Sequence, residues 1–331
     1  MSQKHMKRKE ISILRVVFMG TPDIAATVLK AIIEKGHDVV AVVTQPDKPK
    51  GRGREIQFPP VKELALSHNI SVFQPQKIKN NPEIEETLRE INPDIIVVAA
   101  YGQILPKSIL DMAKYGCVNV HASLLPKYRG AAPIQWAIID GERVTGVTTM
   151  MMDTGLDTGD MLEKTEVEIT ALDTAETLYD KLAEAGGRII LTTMEKLEKG
   201  TAVRTKQKDE ESTYAKMLTK DLGKIDFTKP AEEIERLVRG LNPWPSAYTT
   251  LNKKTIKIWK ASVMSEKDVS DINVEELKYG QVAVITKEFF GVKTGKDILC
   301  IKELQLEGKK RMDAKAFLSG VRINKEDILG E

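Results

Sequence analysis

Hydrophobic and polar positions in the N-terminal part of the chain alternate between two patterns. Continuous apolar runs at residues 15–19 (RVVFM), 38–44 (DVVAVVT) and 94–100 (DIIVVAA) read as strands buried on both faces. Between them, apolar residues at helical spacing predict helices over 24–35, 61–69 and 83–91, with a short strand at 71–73. Gly36 closes the first helix. Further strands are predicted at 117–121 and 147–152, with helices at 106–114, 132–140 and 174–199. Strands that alternate with helices in this way predict an α/β domain with a Rossmann-like, doubly wound, mostly parallel sheet.

Beyond residue 200 the periodicity fades into a charged, Thr-rich stretch with the composition of a linker. A helix over 230–241 ends at Asn242-Pro243-Trp244-Pro245, and short alternating segments at 255–259, 281–286, 291–294 and 298–303 predict a small, OB-like β-barrel. The expected organisation is a disordered tail over 1–12, a catalytic domain over 13–205, a linker over 206–222 and a C-terminal barrel over 223–331. Trp244, set between two prolines, reads as an interdomain packing residue.

Composition narrows the function. The 331 residues carry 50 Lys and Arg against 48 Asp and Glu, a net charge of +2 that excludes a histone-like polycation, so any nucleic-acid contact must be local. Only two cysteines occur, far apart, which supports neither a disulfide framework nor a cysteine metal site. The basic first ten residues lack the apolar run of a signal peptide, and no later stretch approaches ~18 apolar residues, so the expectation is a cytoplasmic protein without a membrane partner.

The turn after the first strand has the single glycine Gly20, where a dinucleotide site needs three, and this disfavours a dehydrogenase. Ligands of such sheets bind at carboxyl ends of strands, which directs attention to the loops after Ala100, His121 and Met152. On the strand Cys117-Val-Asn-Val-His, Asn119 and His121 share a face. A carboxamide donor beside an imidazole suits acyl-group chemistry; equally, the two could satisfy loop backbone. Cys117 on the same face reads as a small buried hydrophobe. In the later loop Met152-Asp-Thr-Gly-Leu-Asp-Thr-Gly-Asp, turn chemistry accounts for Asp153 and Asp160, and Asp157 is the candidate to orient or charge-pair with His121. No spacing of metal ligands accompanies these residues.

Several motifs, taken in order, carry a resemblance. They are GTPD (20–23), TQPDKPKGRG (44–53), AYGQILP (100–106), NVHASLLPKYRGAAPIQ (119–135), MDTGLDTGDM (152–161) and LNPWP (241–245). Together they closely resemble the methionyl-tRNA formyltransferase family, within the wider folate-dependent formyltransferase superfamily. The resemblance spans almost the whole chain and implies transfer of the formyl group of 10-formyltetrahydrofolate to the α-amino group of initiator methionyl-tRNA, by a metal-free monomer. It assigns Asn119, His121 and Asp157 as catalytic. Ser123, Leu124, Leu125 and Pro126 become the folate-binding segment, and Ile104 and Leu105 resemble a pterin-pocket wall. Proton transfer could run through His121, Asp157 or water. The superfamily motifs alone also fit a formyltransferase for a small nucleotide or sugar amine.

The acceptor is carried by basic segments. Lys48, Lys50, Arg52 and Arg54 lie in a Gly- and Pro-containing loop, which by composition is a solvated loop and in the family a tRNA contact, with Arg52 aligned to the central arginine. In the C-terminal part, Lys257 beside Trp259 and Lys310 in a Lys-Lys-Arg run are candidates for a face that tracks a tRNA backbone.

Overall fold

The computed structural model describes residues 13–50, 55–269 and 273–331. The tail 1–12, Arg52 and Arg54 lie outside the described residues. The chain packs into two compact units. One comprises residues 1–126, 146–165 and 182–211, and the other comprises 127–145, 166–181 and 212–331. The division interleaves in sequence.

In chain order the N-terminal elements are strand β1 (Arg15–Gly20), helix α1 (Asp23–Glu34) and strand β2 (Asp38–Val43), followed by the hairpin of β3 (Lys48–Lys50) and β4 (Glu55–Gln57). Next come α2 (Pro60–Ser67), β5 (Val72–Phe73), α3 (Pro82–Ile91), β6 (Ile95–Ala99), α4 (Lys107–Leu110) and β7 (Cys117–His121). After β8 (Arg129–Gly130) and α5 (Pro133–Ile139), strands β9 (Val144–Met151) and β10 (Met161–Glu168) and helix α6 (Ala175–Glu198) complete the set.

The seven-stranded sheet has the order β10-β9-β7-β6-β1-β2-β5. Pairing is parallel from β5 to β7 and becomes antiparallel between β7 and β9. The continuous apolar runs are explained by burial on both faces. Val16 and Phe18 of β1 pack with Val28, Leu29 and Ile32 of α1, while Val17 and Met19 pack on the opposite side with Leu88 of α3 and Ile109 of α4. Strand order reverses between β1 and β6, so the carboxyl ends of these strands form the crevice. Gly20 belongs there for a packing reason: a Cβ would sit 2.6 Å from Ala25 Cβ and 2.8 Å from the Ala99 carbonyl, so only glycine lets β1 approach β6 and α1 this closely.

The second unit includes β8, α5 and the C-terminal elements β11 (Tyr214–Ala215), α7 (Ala231–Gly240), β12 (Ala247–Leu251), β13 (Lys254–Met264), β14 (Val282–Ile285), β15 (Phe290–Lys293), β16 (Ile298–Leu306), β17 (Met312–Asp313) and α8 (Ala314–Gly320). The C-terminal β domain is an antiparallel sheet in the order β12-β13-β16-β15-β14, with β17 on β16. Its inner face packs Ile256, Ile258, Phe290, Ile301 and Leu304 against Ile234 and Val238 of α7 and Phe317 of α8. The stretch read as a linker is not structureless, since β11 pairs in parallel with β8. Trp244 is 55% exposed and so is not the packed residue its proline neighbours suggested. Among the described residues no helix is long and apolar enough to cross a membrane.

Candidate active site

Strand β7 places Asn119 and His121 on one face of the sheet, and both are buried. Cys117 shares that face but lies deeper, packed with Tyr101, Leu105 and Ile109. Its Sγ donates to the Ile109 carbonyl at 3.5 Å, and burial pushes the thiol up to about 12, which makes it an inert core residue. Val98 is the last β6 residue paired with β7 and its partner is Asn119, so His121 lies beyond the paired part of β6.

Asp157 reaches the pair by a route the strand-end rule does not describe. Strand β9 runs antiparallel to β7, with Thr148 opposite His121 and Met151 opposite Val118, so the following loop starts beside the amino half of β7, where the Met152 N–H donates to the Cys117 carbonyl at 2.9 Å. Residues 152–160 then travel back along the Asn119/His121 face, and Asp157 Oδ2 comes to 3.7 Å from His121 Nδ1. Three features hold this loop. Asp153 Oδ1 accepts from the Gly155 N–H at 3.0 Å and the Thr158 hydroxyl at 2.7 Å, the local turn chemistry anticipated for Asp153. Gly159 packs so closely that a Cβ would lie 1.7 Å from the Met151 carbonyl. Gln207 Nε2 donates to the carbonyls of both Asp157 and Gly159 at 2.8 Å. Asp157 has φ +54, a left-handed conformation that Asp tolerates better than most residues.

The segment Ser123-Leu124-Leu125-Pro126 follows His121 after Ala122. Thr148 on β9 pins it from one side: its hydroxyl donates to the Ser123 carbonyl at 2.7 Å and accepts from the Leu125 N–H at 3.1 Å. Lys164 on β10 donates to the Leu125 carbonyl. Leu125 is fully buried with Met150 and Met161, and the Leu125–Pro126 bond is cis.

At the end of β6 the two wall candidates part company. Leu105 is buried in the core, whereas Ile104 is 71% exposed. The loop that carries them is tied to its neighbours, since the Tyr101 carbonyl accepts from Gln45 Nε2 at 3.0 Å and from the Thr21 hydroxyl at 3.3 Å. These bonds link the loops after β1, β2 and β6. Local sequence pattern does not mark Gln207, Thr148 or Lys164. Gln207 lies in the stretch assigned to a linker, and no local pattern marks a residue whose partner is 50 positions away.

The basic candidates sort into two sets, one in each unit. Lys48 is exposed on β3, which pairs with β4 through Lys48 with Gln57 and Lys50 with Glu55, so the flanks of this polar loop form an antiparallel hairpin. In the other unit the two basic runs meet. Lys257 Nζ lies 5.6 Å and the Arg311 guanidinium 4.9 Å from the ring of Trp259, whose indole N–H donates to Gln305 Oε1 at 3.2 Å. Glu303 holds Arg311 in a two-bond ion pair, and Lys257 and Lys310 are exposed. Among the described residues no three His, Cys, Asp or Glu side chains cluster as metal ligands.

The site can therefore present a carboxamide, an imidazole and a carboxylate to a reacting carbonyl at a strand end. Comparison with known proteins places the chain in a family. Residues 14–194 match the family "Formyl transferase" and residues 217–322 match "Formyl transferase, C-terminal domain". A methionyl-tRNA formyltransferase of Lachnospira eligens is 54% identical over 318 residues, covering 96% of this chain and 100% of its own. Among solved structures, an N-formyltransferase of Helicobacter canadensis in complex with folinic acid and dTDP-3-aminofucose has a TM-score of 0.64 at 22% identity, covering 87% of this chain and 99% of its own. HypX of Aquifex aeolicus has a TM-score of 0.62 at 18% identity; this chain is covered to 95% but spans about half (49%) of HypX. At those identities the two structures establish the fold alone.

Proposed function

The chain belongs to the methionyl-tRNA formyltransferase family, and we propose that Asn119, His121 and Asp157 form the centre at which it transfers a formyl group from a folate-derived donor to the α-amino group of initiator methionyl-tRNA. The observation that carries the assignment is the 3.7 Å approach of Asp157 to His121, beside Asn119, at a strand end. We assign 10-formyltetrahydrofolate as the donor, with residues 123–126 and the Ile104 loop as its binding walls. An exposed isoleucine beside a polar crevice suits one face of a flat pterin ring.

The chemistry follows from these groups. The neutral amine attacks the formyl carbon, and negative charge develops on the formyl oxygen. Asn119 Nδ2 and a protonated His121 are the donors for that oxyanion. Asp157 stabilises the imidazolium, so the pair becomes most favourable when charge develops, as differential binding of the transition state requires. As the tetrahedral intermediate collapses, the bond between the formyl carbon and the folate nitrogen breaks; the attacking nitrogen loses a proton and the departing folate nitrogen gains one, with His121, Asp157 and water as carriers. No metal has a role in this scheme.

The domain reading belongs to the same proposal. Residues 13–205 supply the chemistry and the C-terminal residues 223–331 help to hold the tRNA, through Lys257 and Lys310, while Lys48, Lys50, Arg52 and Arg54 approach the acceptor. The enzyme acts as a monomer in the cytoplasm, where aminoacyl-tRNA is made and used. A formyl-transfer assay with 10-formyltetrahydrofolate and EDTA, with methionyl-tRNA or with a small sugar or nucleotide amine as acceptor, tests the whole scheme. Preference for the small amine would replace the acceptor, and dependence on added metal would overturn the mechanism.

A further inference from the structure

Helix α2 has a single lysine, Lys62, and its ammonium is turned away from solvent, with the side chain 14% exposed. It donates to Asp47 Oδ2 at 2.6 Å and to Gln74 Oε1 at 2.8 Å, and it lies 4.0 Å from the ring centroid of Phe58. Gln74 Nε2 donates in turn to Asp47 Oδ1 at 2.7 Å and to the Gln45 carbonyl at 2.9 Å. Hydrogen bonds from Gln74 and then Lys62 hold the Asp47 carboxyl below its usual range.

The placement of these partners is what matters. Asp47 immediately precedes β3 and Phe58 immediately follows β4, so one ammonium grips both legs of the basic hairpin, the incoming leg through an ion pair and the outgoing leg through a cation–π contact. A lysine meant for phosphate would keep its charge in solvent. This one spends it on the base of the hairpin.

We propose that Lys62 is a positioning residue for the tRNA acceptor: clamped by Asp47, Gln74 and Phe58, it fixes the bearing of strands β3 and β4 and so of the exposed Lys48. The inference rests on the tRNA reading above. With both legs held, strands β3 and β4 are positioned before the acceptor arrives; with the clamp gone, binding must supply that positioning.

The test is steady-state kinetics on the full chain for wild type, Lys62→Met, Lys62→Arg, Asp47→Asn and the double variant Asp47→Asn/Lys62→Met. The KM for methionyl-tRNA should rise roughly tenfold in Lys62→Met, the equivalent of re-fixing about one backbone residue. The kcat and the KM for 10-formyltetrahydrofolate should stay within about twofold. Lys62→Arg should recover most of the loss, because a guanidinium can still serve both the carboxylate and the ring. The double variant should be no worse than Lys62→Met, since both changes break one contact. Should Lys62→Met not fold, Asp47→Asn decides alone by the same KM criterion.

An unchanged KM for tRNA, or an equal loss with respect to folate, overturns the role of Lys62. A wild type that does not formylate methionyl-tRNA overturns the acceptor reading and this role with it. A wild type that does, with variants unchanged, overturns only this role.

Discussion

Replacing Asp157 by Asn keeps the size of the side chain and the Gln207 bonds, which end on backbone carbonyls, and removes only the charge facing His121. At 3.7 Å a carboxylate and an imidazolium attract each other by about 4.5 kcal/mol if the effective dielectric is ~20, a value suited to partly buried pairs. Asp157 stabilises the imidazolium that donates to the developing oxyanion, so in the proposed scheme the loss falls on the transition state. At ~1.36 kcal/mol per decade, kcat should drop about a thousandfold. Water reaching the 13%-exposed carboxylate screens part of this, which makes a thousandfold the upper figure and about a hundredfold the lower.

The assay is single-turnover formylation of methionyl-tRNA at saturating donor, with thermal unfolding to verify that the fold is intact. His121→Ala should already remove the partner of Asp157, so the double variant should be little slower than the poorer single one. A single-turnover rate for Asp157→Asn within about threefold of wild type, or fully additive losses in the double variant, would show that Asp157 does not act through His121.

Three further outcomes follow from the same geometry. Ile104→Asp should raise the KM for 10-formyltetrahydrofolate and leave the unfolding free energy within ~0.5 kcal/mol, whereas the buried Leu105→Ala should cost about 2–4 kcal/mol; denaturant titration and donor kinetics on both variants check the contrast. Burial pushes Cys117 up to about 12 and Cys300 up to about 11, so iodoacetamide at pH 8 should leave both thiols unmodified in the native protein, as intact mass would report; rapid double alkylation with the fold retained contradicts their placement. Burial alone would raise the Asp173 carboxyl, but Lys181, the Thr170 N–H and hydroxyl and the Thr177 hydroxyl together hold it at about 2. Because the folded value is depressed, its contribution of about 2 kcal/mol is complete above the unfolded value near ~4 and is lost as pH falls from there toward 2; Asp173→Ala should flatten stability over that window in acid-unfolding curves.

Continuous apolar runs such as residues 15–19 and 94–100 can be buried only on both faces, so the parallel half of the sheet was legible from local pattern. The same holds for Asn119 and His121, whose shared face follows from the two-residue period of a strand. Elements that the pattern did not reveal are those with weak alternation. In β10 (MLEKTEVE) charged residues interrupt the apolar ones because the strand lies at the sheet edge, and β3 and β4 are too short to show a period.

The distance between Asp157 and His121 belongs to the tertiary structure, because it depends on β9 running antiparallel and on a loop held by Gly159 and by Gln207, 50 residues away. So does the union of Lys257 and Arg311 over Trp259, and so does the inward turn of Lys62, which composition alone would count among surface charges. Periodicity records which way a side chain faces on its own element. Which distant group it then meets is set by strand order, direction and loop packing, and these are properties of the whole chain.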